Sequence, residues 1–313
     1  MDKQLVEMVT KLVVEKLAAT EQSLPPTTEV SNSQVDNVHS NGLIQLLPYT
    51  SSQSYQPKQV ERKQSTTTAI AKPFVEKFNE KTSHVRSKTP ARIGVGRSGS
   101  RPLTNTVLKF RFDHAAAVDA VYGEVESAIL EKLNLFTIHT RAETDKETYI
   151  LRPDYGRKLT EQSKNKLYEQ CKKQAQVQII VSNGLSASAI NANLENVFHA
   201  LNQSLAGLGL AVGTPFYIEQ GRVALMDDIG EILQPDVIVY LIGERPGLAS
   251  AESMSAYICY KPRHGTIESD RTVVSNIHKG GIPPVEAGAY LGNLIKKILK
   301  FEASGVNLVK KEG

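Results

Sequence analysis

Seven residues from Asp236 to Ile242 read Asp-Val-Ile-Val-Tyr-Leu-Ile, with almost no polar interruption. Apolar, largely β-branched residues without alternation describe a strand buried on both faces, and such strands belong to parallel sheets covered by helices on either side. Behind it the chain turns sharply through Gly243, Glu244, Arg245, Pro246, Gly247 and Leu248. In open α/β sheets ligands settle outside the carboxyl ends of strands. Glu244 and Arg245, at the rim of this turn, therefore mark a candidate site. A tight turn with two solvated charges is the competing reading.

The flanking pattern agrees with an α/β sheet. Strands are expected at Leu135–Ile138, Gln176–Val181, Phe216–Ile218 and Ala256–Tyr260. Helices are expected at Leu159–Cys171, Ala187–Leu205, Asp227–Leu233 and Pro284–Phe301. Alternating strands and helices imply a Rossmann-like, mainly parallel sheet with helices on both faces. A helix over about 112–132, with Asp113 as N-cap and Ala117, Val118, Val121, Val125, Ile129 and Leu133 inward, precedes the sheet. The expected organisation is an amphipathic helix at 1–18, a linker at 19–85, a small helical subdomain at 86–134 and the ligand-binding α/β domain at 135–313.

The linker is an expectation from composition. Ser, Thr, Asn, Gln and Pro dominate Ala19–Ala69, leaving too few apolar groups to offset the entropy of ordering it, so it is expected to be disordered. Ahead of it, Leu5, Met8, Val9, Leu12, Val13 and Leu17 recur at helical spacing and form one apolar face. A lone helix of that length is marginal in water, so it is expected to fold on a partner or dock on its own domain. Leu43–Leu47 is either a second linear contact or a chance apolar cluster. A further amphipathic turn or two is expected around 69–80, at Ile70, Phe74, Val75 and Phe78.

Charge excludes several classes. Lys and Arg total 37 against 33 Asp and Glu, a net +4, which argues against nucleic acid and against an anionic membrane as partners. No apolar run approaches the length of a membrane span. Cys171 and Cys259 stand in unrelated contexts without zinc spacing, as expected of free thiols in a reducing cytoplasm.

Little in the sequence carries chemistry. Ser182–Ser186 follows a strand and precedes a helix, which suits either a ligand-facing loop or a connection with an N-cap serine. Gly94–Gly99 formally matches the dinucleotide pattern G-x-G-x-x-G, but the run before it is short and Pro-interrupted, and no helix is expected to open after it. The pair Asp227 and Asp228, beside Glu231, reads as helix capping rather than catalysis. His114, His199 and His278 are scattered and read as cap or core residues. Nucleophile elbow, phosphate loop and H-E-x-x-H motifs are absent.

Taken together, Arg92–Arg101, Phe110–His114, Ser182–Ser186, Gly221–Leu233, Gly243–Leu248 and Asp270–Gly281 resemble the small subunit of ethanolamine ammonia-lyase in order and spacing. The resemblance implies an adenosylcobalamin-dependent radical enzyme that converts ethanolamine to acetaldehyde and ammonia. Its active site would lie in a larger TIM-barrel subunit, and this chain would close the cobalamin site without catalytic residues of its own. The implied cobalamin contacts are Val223, Glu244 and Val273. Val273 stands where the family often has Cys, which favours a backbone or packing contact, and Asn183 stands where Asp is usual. The Asp-x-His-x-x-Gly pattern is absent, consistent with base-on cofactor. Assembly of several heterodimers is also implied.

The amphipathic N-terminus on its long tether resembles peptides that direct enzymes into bacterial microcompartments, with a shell or cargo protein as partner of residues 1–18. Two other readings remain at this point: a nucleotide-dependent oxidoreductase, and a non-catalytic microcompartment cargo adaptor.

Overall fold

The structure is a computed structural model that describes residues 83–88, 92–142 and 145–312. The expected helix at 1–18, the cluster Leu43–Leu47, the turns at 69–80 and nearly all of the linker lie outside the described residues.

After a two-residue hairpin of β1 (Arg97–Ser98) and β2 (Arg101–Pro102) come helices α1 (Thr104–Tyr122) and α2 (Ser127–Lys132). The sheet then begins with β3 (Phe136–His139), followed by α3 (Lys146–Leu151) and α4 (Glu161–Gln170). Next are β4 (Val177–Ser182), α5 (Ala187–Gly207), β5 (Phe216–Glu219), α6 (Leu225–Leu233) and β6 (Val237–Gly243). The chain continues through β7 (Met254–Tyr260), β8 (Arg271–Ile277), α7 (Pro284–Phe301) and α8 (Gly305–Glu312).

Six strands form one sheet in the order β3-β5-β4-β6-β7-β8. Strands β3, β5, β4 and β6 are parallel, with Val177 opposite Val237 and Ser182 opposite Ile242. The expected mainly parallel sheet is thus a parallel core extended by an antiparallel pair, because β7 returns antiparallel to β6 and β8 antiparallel to β7. Connection length explains the difference: about ten residues separate β6 from β7, fewer than a parallel crossover needs.

Strand alternation sends side chains to two separate cores. Ile179, Val181, Val239 and Leu241 pack with Ile190, Leu194 and Leu201 of α5 and Leu291 and Ile295 of α7. Ile180, Ile238, Tyr240 and Ile242 pack on the other face with Leu167 of α4 and Leu225, Met226 and Ile229 of α6. Each such side chain, fully buried, contributes roughly 1.5–3 kcal/mol of transfer free energy. Strand β6, buried at every position, has helices over both faces, as its composition requires.

Two expectations ahead of the sheet are corrected. The helix there starts at Thr104 with Leu103 as N-cap, and it breaks at Gly123 before α2. Asp113 is therefore inside α1, where it pairs with Arg92 instead of capping, and Val118 is exposed. A helix does open a few residues after Gly99. The glycine run itself, however, leads into an antiparallel two-residue hairpin with Gly99 at its tip, and among the described residues no sheet strand stands before it to present a pyrophosphate.

Candidate functional site

Parallel pairing brings the carboxyl ends of β3, β5, β4 and β6 to one edge of the sheet. The turns behind β4, β5 and β6 converge there on a cleft of about 320 Å³, lined by Gly184, Leu185, Arg222, Val223, Ile242 to Arg245, Ser255, Tyr257, Ser275 and Tyr149. An adjoining cleft of about 640 Å³ opens between α1 and the turn at Pro246–Leu248 and shares Leu185, Arg222 and Arg245 with the first.

Each turn is locked by side chains from its neighbours. Behind β4, Gly184 takes φ +50, and an added Cβ would collide with the Gly243 carbonyl, so the turn needs glycine both for its conformation and for its closeness to β6. Ser186 caps α5 by accepting from Ala189 N at 3.0 Å and donates to the Ala251 carbonyl at 2.6 Å. It is the N-cap serine of the simpler reading, and it also ties the loop after β6 to the one after β4. Asn183 is buried, and its Oδ1 accepts from Gln220 N at 2.8 Å and from Ser182 Oγ at 3.3 Å. Those acceptor roles need no charge, which suits a neutral side chain at a buried position.

Of the three residues implied as contacts, two meet in the cleft. Val223 is half-buried beside the second core, and Glu244 begins the turn after β6. The Glu244 N–H donates to the Ser253 carbonyl at 2.9 Å. Its Oε1 accepts from Ser255 Oγ at 2.6 Å and from Asn276 N at 2.7 Å, bracing β6 against β7 and β8. Oε2 takes no hydrogen bond from the described residues. Glu244 is thus more than a solvated turn charge: it is an oriented carboxylate with one oxygen available. Val273 does not line the cleft. It lies on β8 opposite Tyr257, on the same face as that cleft residue, and is 44% exposed.

Tyr149 and Arg222 were not singled out by sequence. Tyr149, fully buried on α3, donates through Oη to the Gly221 carbonyl at 2.9 Å, and burial raises its phenol well above the usual range. Arg222 lies over the Tyr149 ring, 4.1 Å from its centroid, and donates through Nη2 to the Tyr149 carbonyl at 2.9 Å. Position directly behind a strand could have drawn attention to Arg222. Nothing local could have found Tyr149.

Among the described residues no cluster of His, Cys, Asp or Glu could hold a metal ion. Burial pushes the thiols of Cys171 and Cys259 up to about 11, which leaves them protonated at neutral pH. Asp227 is bound to Arg271 at 2.9 Å, while Asp228 meets the His264 ring at 2.7 Å and accepts from Leu159 N at 3.2 Å. These acids are engaged in holding elements together. A polar cavity of about 630 Å³ lies at the opposite edge of the sheet, beside the carboxyl end of β7 and the start of β8, at Tyr260–Thr266 and Glu302–Lys311. Its Lys261 pairs with Asp236, and its Lys311 donates to the Phe301 and Glu302 carbonyls. No described helix is long and apolar enough to cross a membrane.

A family model described as ethanolamine ammonia-lyase light chain (EutC) matches residues 79–309. The ethanolamine ammonia-lyase small subunit of Clostridium tetani is 55% identical over 224 residues, covering 72% of this chain and 76% of the relative. That of Fusobacterium nucleatum is 52% identical over 223 residues, covering 71% and 75%. The small subunit of Listeria monocytogenes serovar 1/2a is 44% identical over 224 residues, covering 72% and 76%.

Proposed function

The chain belongs to the ethanolamine ammonia-lyase small-subunit family, and on that premise we propose that its strand-end cleft holds adenosylcobalamin against a large subunit in which ethanolamine reacts. It is a subunit of a carbon-nitrogen lyase, and the name small subunit implies a larger partner. The observation that carries the cofactor reading is Glu244, an anchored carboxylate with Oε2 available at the carboxyl end of β6, beside Val223. Corrin side chains end in amides, and the residues present suit them: a fixed acceptor in Glu244, a donor in Arg245, and apolar surface from Leu185, Val223 and Ile242. The cleft is open and smaller than a cobalamin, as fits a site completed by a second subunit.

Bound adenosylcobalamin supplies the radical chemistry; this chain contributes binding and orientation. Glu244 would accept a hydrogen bond from a corrin amide, Val223 would give an apolar packing surface, and Val273, just beyond the cleft on the same face, would make a packing contact. The division into a helical subdomain at 86–134 and a cobalamin-binding, Rossmann-like domain at 135–313 belongs to the same proposal, as does a targeting role for residues 1–18.

Glu244→Ala tests the site. A charge-assisted contact contributes about 1.5–3 kcal/mol, so adenosylcobalamin binding by the assembled enzyme is expected to weaken roughly tenfold to a hundredfold. The KM for ethanolamine at saturating cofactor should stay nearly constant, because substrate is held by the other subunit. Glu244→Gln can still accept from Ser255 and Asn276, which preserves the brace and isolates the charge; its affinity should fall between. Unchanged affinity in Glu244→Ala would reduce Glu244 to a structural brace of β7 and β8.

A further inference from the structure

We propose that Arg222 is the anion-binding residue of the cleft and receives the phosphodiester in the cofactor's nucleotide tail, an inference that rests on the cobalamin reading above. Three observations lead there. Arg222 lies where the two clefts meet and lines both. Among the described residues its charge has no carboxylate partner within ion-pair distance, and its Nε is buried without a hydrogen-bond partner. Glu244, which shares the cleft, is bound to Ser255 and Asn276 instead.

The guanidinium is also fixed in place. Among the described residues its single hydrogen bond runs from Nη2 to the Tyr149 carbonyl, and the Tyr149 ring supports it from one side. Its backbone N–H donates to the Gly156 carbonyl at 2.8 Å. The preceding Gly221 is held by Tyr149 Oη and by Ser182 Oγ, which accepts from Gly221 N at 3.0 Å. An added Cβ at Gly221 would collide with the Tyr240 hydroxyl and Ser182 Oγ, so the turn has no slack.

A half-buried, uncompensated arginine is costly unless something neutralises it. Cobalamin is lined by neutral amides, and its one peripheral formal charge is the phosphodiester. A planar fork of donors matches a phosphate better than it matches an amide oxygen. The exposed Arg245, also on both cleft walls, adds a second positive charge nearby.

The test compares two probes on the assembled two-subunit enzyme by absorbance titration: cyanocobalamin, which carries the nucleotide tail, and dicyanocobinamide, which lacks it together with the phosphodiester. The quantity read is the ratio of their affinities. Arg222→Met is expected to lower that ratio tenfold to a hundredfold, by weakening cyanocobalamin alone. Arg222→Lys, which keeps the charge without the fork, is expected to lower it less, and it serves if the Met variant fails to assemble. Equal weakening of both probes would overturn the proposal in favour of an amide contact or a loop-shaping role, and so would no weakening of either. The two readings fail separately: Glu244→Ala weakening both probes while Arg222→Met is silent sinks only this inference. Wild-type enzyme that binds neither probe sinks the cobalamin reading itself.

Discussion

One hydroxyl, Tyr149 Oη, connects α3 to the turn that carries Arg222 and Val223, and its partner is the Gly221 carbonyl. Tyr149→Phe keeps the ring under Arg222 and removes only that bond, leaving a buried carbonyl without its donor. The expected cost is about 1–3 kcal/mol, seen as a lower urea midpoint with an unchanged slope; an unchanged midpoint would show that the hydroxyl is dispensable. At this scale the sequence is legible only in part. Val223 and Glu244 could be placed because each follows a recognisable strand, and strand ends of one parallel sheet share an edge. Tyr149 meets its partner across 72 residues, a separation that no local pattern encodes. The available oxygen of Glu244 and the missing counter-charge of Arg222 are properties of what surrounds them in space. Val273 could be assigned to neither wall of the cleft, because its strand was not recognised.

That strand, β8, was missed for a physical reason. From Arg271 to Ile277 exposed and buried positions mix with Ser275 and Asn276, so the run lacks the apolar continuity that identifies β6. An edge strand packed on one side needs no such continuity. Strands β4, β5 and β6 and helices α5 and α7 were legible because their burial is nearly complete along one or both faces. The start of α1 was not, since its residues remain largely exposed and its N-cap Leu103 makes no side-chain cap bond. Helix α5 packs closely against α7, and the crossing depends on small residues: a Cβ at Gly288 would come within 2.6 Å of the Val197 carbonyl and 2.7 Å of the Ala200 Cβ. Gly288→Leu should therefore force the helices apart and cost roughly 1–3 kcal/mol by overpacking. Thermal unfolding should show a lowered Tm; an unaltered Tm would mean that the crossing yields without strain.

For the whole molecule, the family match begins at residue 79 and the described residues at 83, so the amphipathic pattern at 1–18 falls outside both in sequence. Every residue assigned to the cleft, from Tyr149 to Ser275, lies within the matched span. Binding of cofactor and turnover with the large subunit should accordingly be independent of the N-terminal segment. Its apolar stripe, Leu5, Met8, Val9, Leu12, Val13 and Leu17, is the pattern by which a helix lies in a groove of another protein. Deleting residues 1–18 is expected to leave ethanolamine deamination by the assembled enzyme unchanged in solution and to abolish its co-sedimentation with purified microcompartments. Replacing Leu12 and Leu17 by Glu puts two charges on the apolar face at full chain length, so it separates loss of the stripe from loss of the tether, and it should act like the deletion. Loss of activity in either variant would show that the segment serves the enzyme's own assembly. Normal co-sedimentation of the double variant would move the contact elsewhere, with Leu43–Leu47 the next segment to replace.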